Sequence, residues 1–171
     1  METLSDEIMN AVQRLGISAS RFRLPPAQEA ERVVSRAERA FVRVPGRRWW
    51  WTAFRCRGYA VVFVDYRGYR RLTQIAPPSD QRSWLIANMD EVSPGPVLVY
   101  EGSLEALQAV LGACYAFEYY VISPNYDWLI CESHHNVVIA TGYKAIKRLK
   151  TYVGAHPSEI AHTSAWPVQQ F

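Results

Sequence analysis

The run from Glu118 to Gly142, EYYVISPNYDWLICESHHNVVIATG, constrains the fold more than any other stretch of this chain. Glu118 to Ile122, Asp127 to Glu132 and Val137 to Thr141 are short apolar segments rich in β-branched and aromatic side chains. Ser123, Pro124 and Asn125 supply turn chemistry after the first, and the polar residues around His134 and His135 follow the second. Connections this short join antiparallel neighbours, so the run predicts a β meander.

The flanks add helices. Leu4, Ile8, Val12 and Leu15 recur at helical spacing, with Thr3 or Ser5 as N-cap and Gly16 where a C′ glycine stops a helix. Pro25 and Pro26 open a second helix whose apolar face is Val33, Val34, Ala37 and Phe41. Ser103 caps a third, carried by Leu104, Leu107, Val110 and Leu111 and closed near Gly112. A basic fourth follows from Tyr143, with Ala145, Ile146, Leu149 and Val153 inward. Further strands are expected in RRWWWTAFRC, at Tyr59 to Tyr66, at Arg71 to Ile75, at Ser83 to Asn88 and in VLVYE, the last led in by Pro94, Gly95 and Pro96. Tyr59 to Tyr66 is nearly unbroken in apolar character, which predicts a central strand covered on both faces. His156 to Phe171 reads as an extended arm. The expected class is α+β: a mainly antiparallel sheet of about six to seven strands with a C-terminal meander, two N-terminal helices, one middle helix and one basic C-terminal helix. At 171 residues, without a linker or internal repeat, residues 1–171 are expected to form a single domain.

Composition narrows the classes of function. Forty-nine per cent hydrophobic and 13% aromatic residues exclude a disordered chain. Cys56, Cys114 and Cys131 are an odd number at wide spacing and suggest neither a disulfide framework nor a paired metal knuckle. Asp6 and Glu7 stand where a secretory signal carries basic residues, and no apolar run approaches a membrane span, so a cytoplasmic protein without membrane contact is expected. The net charge of +3 hides a division along the chain. Residues 43–71 hold eight Arg against Asp65 alone, whereas residues 72–141 hold eight acids against Arg82.

Two clusters carry candidate chemistry. Asp127, Cys131, Glu132, Ser133, His134 and His135 crowd one strand end. A thiol enzyme would need an imidazole within reach of Cys131, but adjacent His134 and His135 point to opposite faces if the strand continues. A metal site built on Cys131 lacks a second ligand pair, so no metal is expected. In the other cluster, Arg47, Arg48, Arg55 and Arg57 lie among aromatics in a pattern that suits RNA or single-stranded DNA, though no RNP-type consensus accompanies them. No Gly-rich phosphate loop, nucleophile elbow or H-E-x-x-H pair occurs, and no cofactor is expected.

The positions Asp127, Trp128, Leu129, Cys131, Glu132, His134 and His135 resemble a D/E-W-L-x-C-E-x-H-H turn signature of small uncharacterised bacterial α/β proteins. Such proteins are similar in size and make-up to immunity proteins of bacterial toxin systems. The resemblance implies a non-enzymatic module that binds a protein partner, a toxin domain, and covers its active site. The acids of the meander would face a basic cleft, with Asp127, Glu132, His134 and His135 as partner-binding residues. Nucleic-acid binding through residues 43–71 and a metal or thiol enzyme at Cys131 are the alternatives.

Overall fold

A computed structural model describes residues 3–87 and 97–167. Its centre is one open antiparallel sheet of eight strands: β1 (Phe22–Arg23), β2 (Gly58–Phe63), β3 (Ser83–Ala87), β4 (Leu98–Gly102), β5 (Tyr119–Ile122), β6 (Leu129–Glu132), β7 (Val138–Thr141) and β8 (Ile160–Trp166). They lie side by side in the order β1-β4-β3-β5-β6-β7-β2-β8. The meander forms as its local signals dictate: Tyr119 pairs with Glu132, and Leu129 with Thr141.

Five helices clothe the sheet: α1 (Leu4–Arg14), α2 (Ala27–Phe41), α3 (Leu72–Ile75), α4 (Leu104–Ala113) and α5 (Tyr143–Ala155). Thr3 caps α1 in a capping box with Asp6, and the Ser103 hydroxyl accepts from the Ala106 N–H at the start of α4. The layers follow from alternation along the strands. Leu85, Val121 and Ile130 turn toward α1, α4 and α5, whereas Ile86, Ile122 and Cys131 turn toward Val33, Ala37 and Phe41 of α2. Every residue of β3, β5, β6 and β7 is buried. The sheet has no solvent face there, which explains why its strands read as continuous apolar runs.

Gly142 makes the passage from β7 into α5. Its φ of 90° is open to glycine, and a Cβ there would meet the Asp127 carbonyl oxygen at 2.3 Å.

Several expectations are corrected. RRWWWTAFRC forms no strand: Trp50–Ala53 is a 3-10 turn, and only an isolated bridge, Val42 to Phe54, remains of the expected pairing. The Trp50 N–H donates to the Tyr120 hydroxyl, and that long-range bond overrides local β preference. Arg71 to Ile75 is helical, because a 3-10 turn at Gly68–Arg71 runs directly into α3. The C-terminal arm contains β8, which pairs along β2, so β2 is flanked on both sides but stands second from an edge rather than central. With β1 this brings the strands to eight. Asn88 and the Pro94-Gly95-Pro96 lead lie outside the described residues. No helix among the described residues is long and apolar enough to cross a membrane.

Candidate functional site

Because β5, β6 and β7 are buried on both faces, the exposed chemistry of the meander lies at its strand ends and turns. The richest end is where β6 turns into β7. Ser133 donates its N–H to the Val137 carbonyl and accepts at its own carbonyl from Asn136, closing a tight turn in which Asn136 has φ 58°. Asparagine tolerates this left-handed geometry. His134 and His135 sit in the turn, both exposed, with ring centroids 4.1 Å apart.

Two buried carboxylates anchor this end from opposite faces of the sheet. Glu118, just before β5, accepts from the Trp51 indole N–H at 2.9 Å and from the Tyr120 hydroxyl at 2.6 Å, and its Oε2 lies 2.9 Å from His134 Nδ1. Trp49 and Trp51 pack against the His134 ring. The tryptophan run is thereby docked onto the hairpin tip. Trp166 of β8 joins it by donating its indole N–H to the Trp51 carbonyl.

Glu132, at the end of β6, faces the other way. It accepts from the Gly68 N–H at 2.8 Å, the Tyr69 N–H at 2.9 Å and the Tyr119 hydroxyl at 2.9 Å. These are the first amides of the helical stretch that begins at Gly68, so a carboxylate distant in sequence serves as its cap. Burial lifts the Glu132 carboxyl above its ordinary range, and the three hydrogen bonds oppose that rise.

Between this anchor and the end of α4 opens a cleft of about 570 Å³. Leu111, Phe117 and Tyr119 give it apolar walls, Glu132 lies within its lining, and Arg67, Arg70 and His134 add polar groups. The size suits a small ligand or an inserted side chain. Two tyrosines that line it are strongly exposed: Tyr66 at 60% and Tyr115 at 83%. Tyr66 also has φ 53°, a conformation that costs a bulky residue about 1 kcal/mol and that concentrates at functional positions.

Of the residues expected to bind a partner, Glu132, His134 and His135 share one strand end, and Asp127 stands apart. Asp127 lies at the opposite end of β6 from the histidines, tied to Ser123 and paired with Lys144 at 2.7 Å, which holds its carboxyl below the ordinary range. Glu132 is 6% exposed and its carboxylate is engaged inside the fold, where it supports the loop above it. Of the meander's acids, then, Glu118 and Glu132 are buried and Asp127 is ion-paired, so these three form no acidic face. Asp90 and Glu91 of the acidic stretch lie outside the described residues.

Cys131 is fully buried on the α2 side, and burial raises its thiol well above the ordinary value. A thiol there has no access to substrate. No group of three or more metal-ligating side chains occurs among the described residues. Arg47, Arg48, Arg55 and Arg57 are all exposed. Arg48 stacks over Trp49, while Arg55 donates to the Val42 carbonyl. Sequence spacing does not single out Tyr66, Arg67, Arg70 and Tyr115 as a site; the Gly-containing, arginine-rich VDYRGYR is the available signal for the first three.

Comparison with curated proteins and with solved structures finds no match. A family profile matches residues 1–153, and on that span, which runs from α1 nearly to the end of α5, the chain belongs to DUF6756, a family of unknown function.

Proposed function

We propose that this chain is a non-enzymatic protein-binding module, of the kind the resemblance to immunity proteins suggests, and that it meets its partner at the β6–β7 end of the sheet. The observation that carries the reading is the cleft with Tyr66 and Tyr115 held out at its lining, beside Arg67 and Arg70. Exposed aromatic rings and arginines around an apolar depression are the composition of an interface hot spot. The rest of the molecule supports this. β3, β5, β6 and β7 are covered on both faces, the buried thiol has no path to substrate, and the two buried carboxylates act as supports for exposed loops.

The same end could be read as a single-stranded nucleic-acid surface. Centred on Arg47, Arg48, Arg55 and Arg57, that reading needs the neighbouring tryptophans as open stacking platforms. Trp50 is 5% exposed, and Trp51 is bonded to Glu118 and packed against His134, His135 and Trp166. Protein binding therefore fits the geometry better.

The test is recovery of a partner from the native host on the tagged chain, with identification by mass spectrometry. The wild type and Asp127→Asn, altered at the far end of β6, are expected to retain the same protein. A Tyr66→Ser, Tyr115→Ser double variant with an unchanged melting temperature is expected to lose it. Recovery undiminished by the double variant, or no stoichiometric protein with the wild type, would sink the assignment.

A further inference from the structure

We infer that the partner segment seated in this cleft is acidic and carries an apolar anchor: its carboxylates pair with Arg67 and Arg70 while an aromatic or aliphatic side chain enters beside Leu111, Phe117 and Tyr119. The inference rests on the protein-binding reading and adds the chemistry of the partner to it.

The argument begins with how charges are used around the cleft. Residues 65 to 71 contain Asp65 and the cations Arg67, Arg70 and Arg71. Arg71 is buried and consumes the available acids: it binds both carboxylate oxygens of Asp65, at 2.7 and 2.8 Å, and reaches Glu159 at 2.8 Å. Arg70, half exposed, approaches the already paired Asp65 only to 3.8 Å. Arg67 makes no ion pair among the described residues, and it is exposed. Glu132 is directed inward onto Gly68 and Tyr69, beneath the loop that bears these two arginines. The cleft thus presents guanidinium groups whose nearby acids are engaged elsewhere. Guanidinium forks match carboxylates in a bidentate geometry.

The sign of the charge continues past the hairpin tip. His134 lines the cleft on one side and packs against Trp49, whose ring lies under Arg48. The acid nearest that boundary, Glu118, is buried and holds Trp51, Tyr120 and His134. An acidic meander meeting a basic partner is therefore replaced by a basic, aromatic end that complements an acidic one.

The anchor follows from the cleft itself. Its exposed apolar wall is Phe117, partly buried and edge-on to Tyr119, with Leu111 and Tyr119 closed off behind it. A purely charged segment would leave that surface wet. An apolar side chain inserted there removes it from water. The cleft has room for an inserted side chain.

The experiment uses the full chain and fluorescence anisotropy with labelled short peptides: one rich in Glu and Asp around a central Phe, the same with Phe replaced by Ser, and one with Lys in place of the acids. An oligouridylate is the fourth probe. The acidic Phe peptide is expected to bind, the Ser version about tenfold more weakly, and the Lys version not at all. Arg67→Ala with Arg70→Ala is expected to weaken the acidic Phe peptide at least about tenfold, while Arg57→Ala, away from the cleft, leaves it unchanged. Binding is expected to weaken as salt screens the pairs. Equal binding of acidic and basic peptides, absence of binding to every peptide, or tighter binding of the oligouridylate overturns the inference. If a host protein is still recovered through Tyr66 and Tyr115 while the acidic peptides fail, only the partner chemistry falls and the binding module stands.

Discussion

The Glu132 carboxylate accepts the backbone N–H of Gly68 at 2.8 Å, and the contact is tight enough that no side chain fits between them. A Cβ on Gly68 would come within 2.1 Å of Val138 Cγ2 and 3.0 Å of Glu132 Oε1. Gly68→Ala is therefore expected to destabilise the fold by about 2 kcal/mol through overpacking, read as a lower urea midpoint with an unchanged slope. A variant as stable as the wild type would show that the loop can lift away freely.

Protonation of Glu132 gives a second prediction, with a defined sign. Burial raises its carboxyl above the ordinary 4.5, so the folded protein holds this proton more firmly than the unfolded chain does. That contribution is complete below about pH 4.5 and fades as pH rises through the folded-state value. Glu132→Gln cannot titrate. The stability of the wild type relative to this variant is expected to decline between acidic and neutral pH in paired urea titrations; a constant difference would contradict the raised value.

Arg71 predicts the opposite trend. At Asp65 burial opposes ionisation, but the hydrogen bond from Arg71 helps to hold the carboxyl below its ordinary value; at Glu159 the Arg71 hydrogen bond is the leading cause of the same shift. Depressed values contribute stability that is present above the unfolded-state pKa values and lost as pH falls through the folded ones. Arg71→Met should lower the melting temperature by about 5 °C near neutral pH, with the gap to the wild type closing in acid. A gap independent of pH would assign the loss to packing over Phe63 instead.

The three cysteines should react in order of access. Cys56 is exposed, Cys114 is half-buried with its thiol pushed up to about 11 by burial and then by Glu7, and Cys131 is enclosed. A chromogenic disulfide reagent at neutral pH is expected to find one rapid thiol in the native protein and all three after denaturation. Fast labelling of Cys131 in the folded state would reopen the thiol-enzyme reading.

Sequence periodicity identified the meander and four of the helices because their signals are local: turn residues, caps and a repeat of apolar positions. It failed where a distant partner decides. Trp49 to Trp51 carry β-forming side chains, but Tyr120, 70 residues from Trp50, takes the amide that a strand would need. Arg71 to Ile75 is helical because Glu132 caps the preceding turn from 64 residues away. β8, IAHTSAW, mixes small, polar and aromatic residues without clean alternation, and its strand character comes from β2 alongside it. The candidate site was half legible for the same reason. His134 and His135 stand at the exposed tip as their turn position implied, while Glu132, chosen for its charge, is inside because the amides it serves come from another loop. Nothing in the linear spacing of Tyr66 and Tyr115 announces that α4 and the β2 loop bring them to one cleft.

A sheet buried on both faces also sets how the molecule moves in time. Amides of β5, β6 and β7 have neighbours on each side in the ladder and packed layers above and below, so they exchange with solvent only when much of the fold opens. Tyr66 and Tyr115 stand outside that double cover, at 60% and 83% exposure, so the amides beside them are expected to exchange sooner. The slow interior leaves local opening to its ends, over times far shorter than the lifetime of the sheet that holds them.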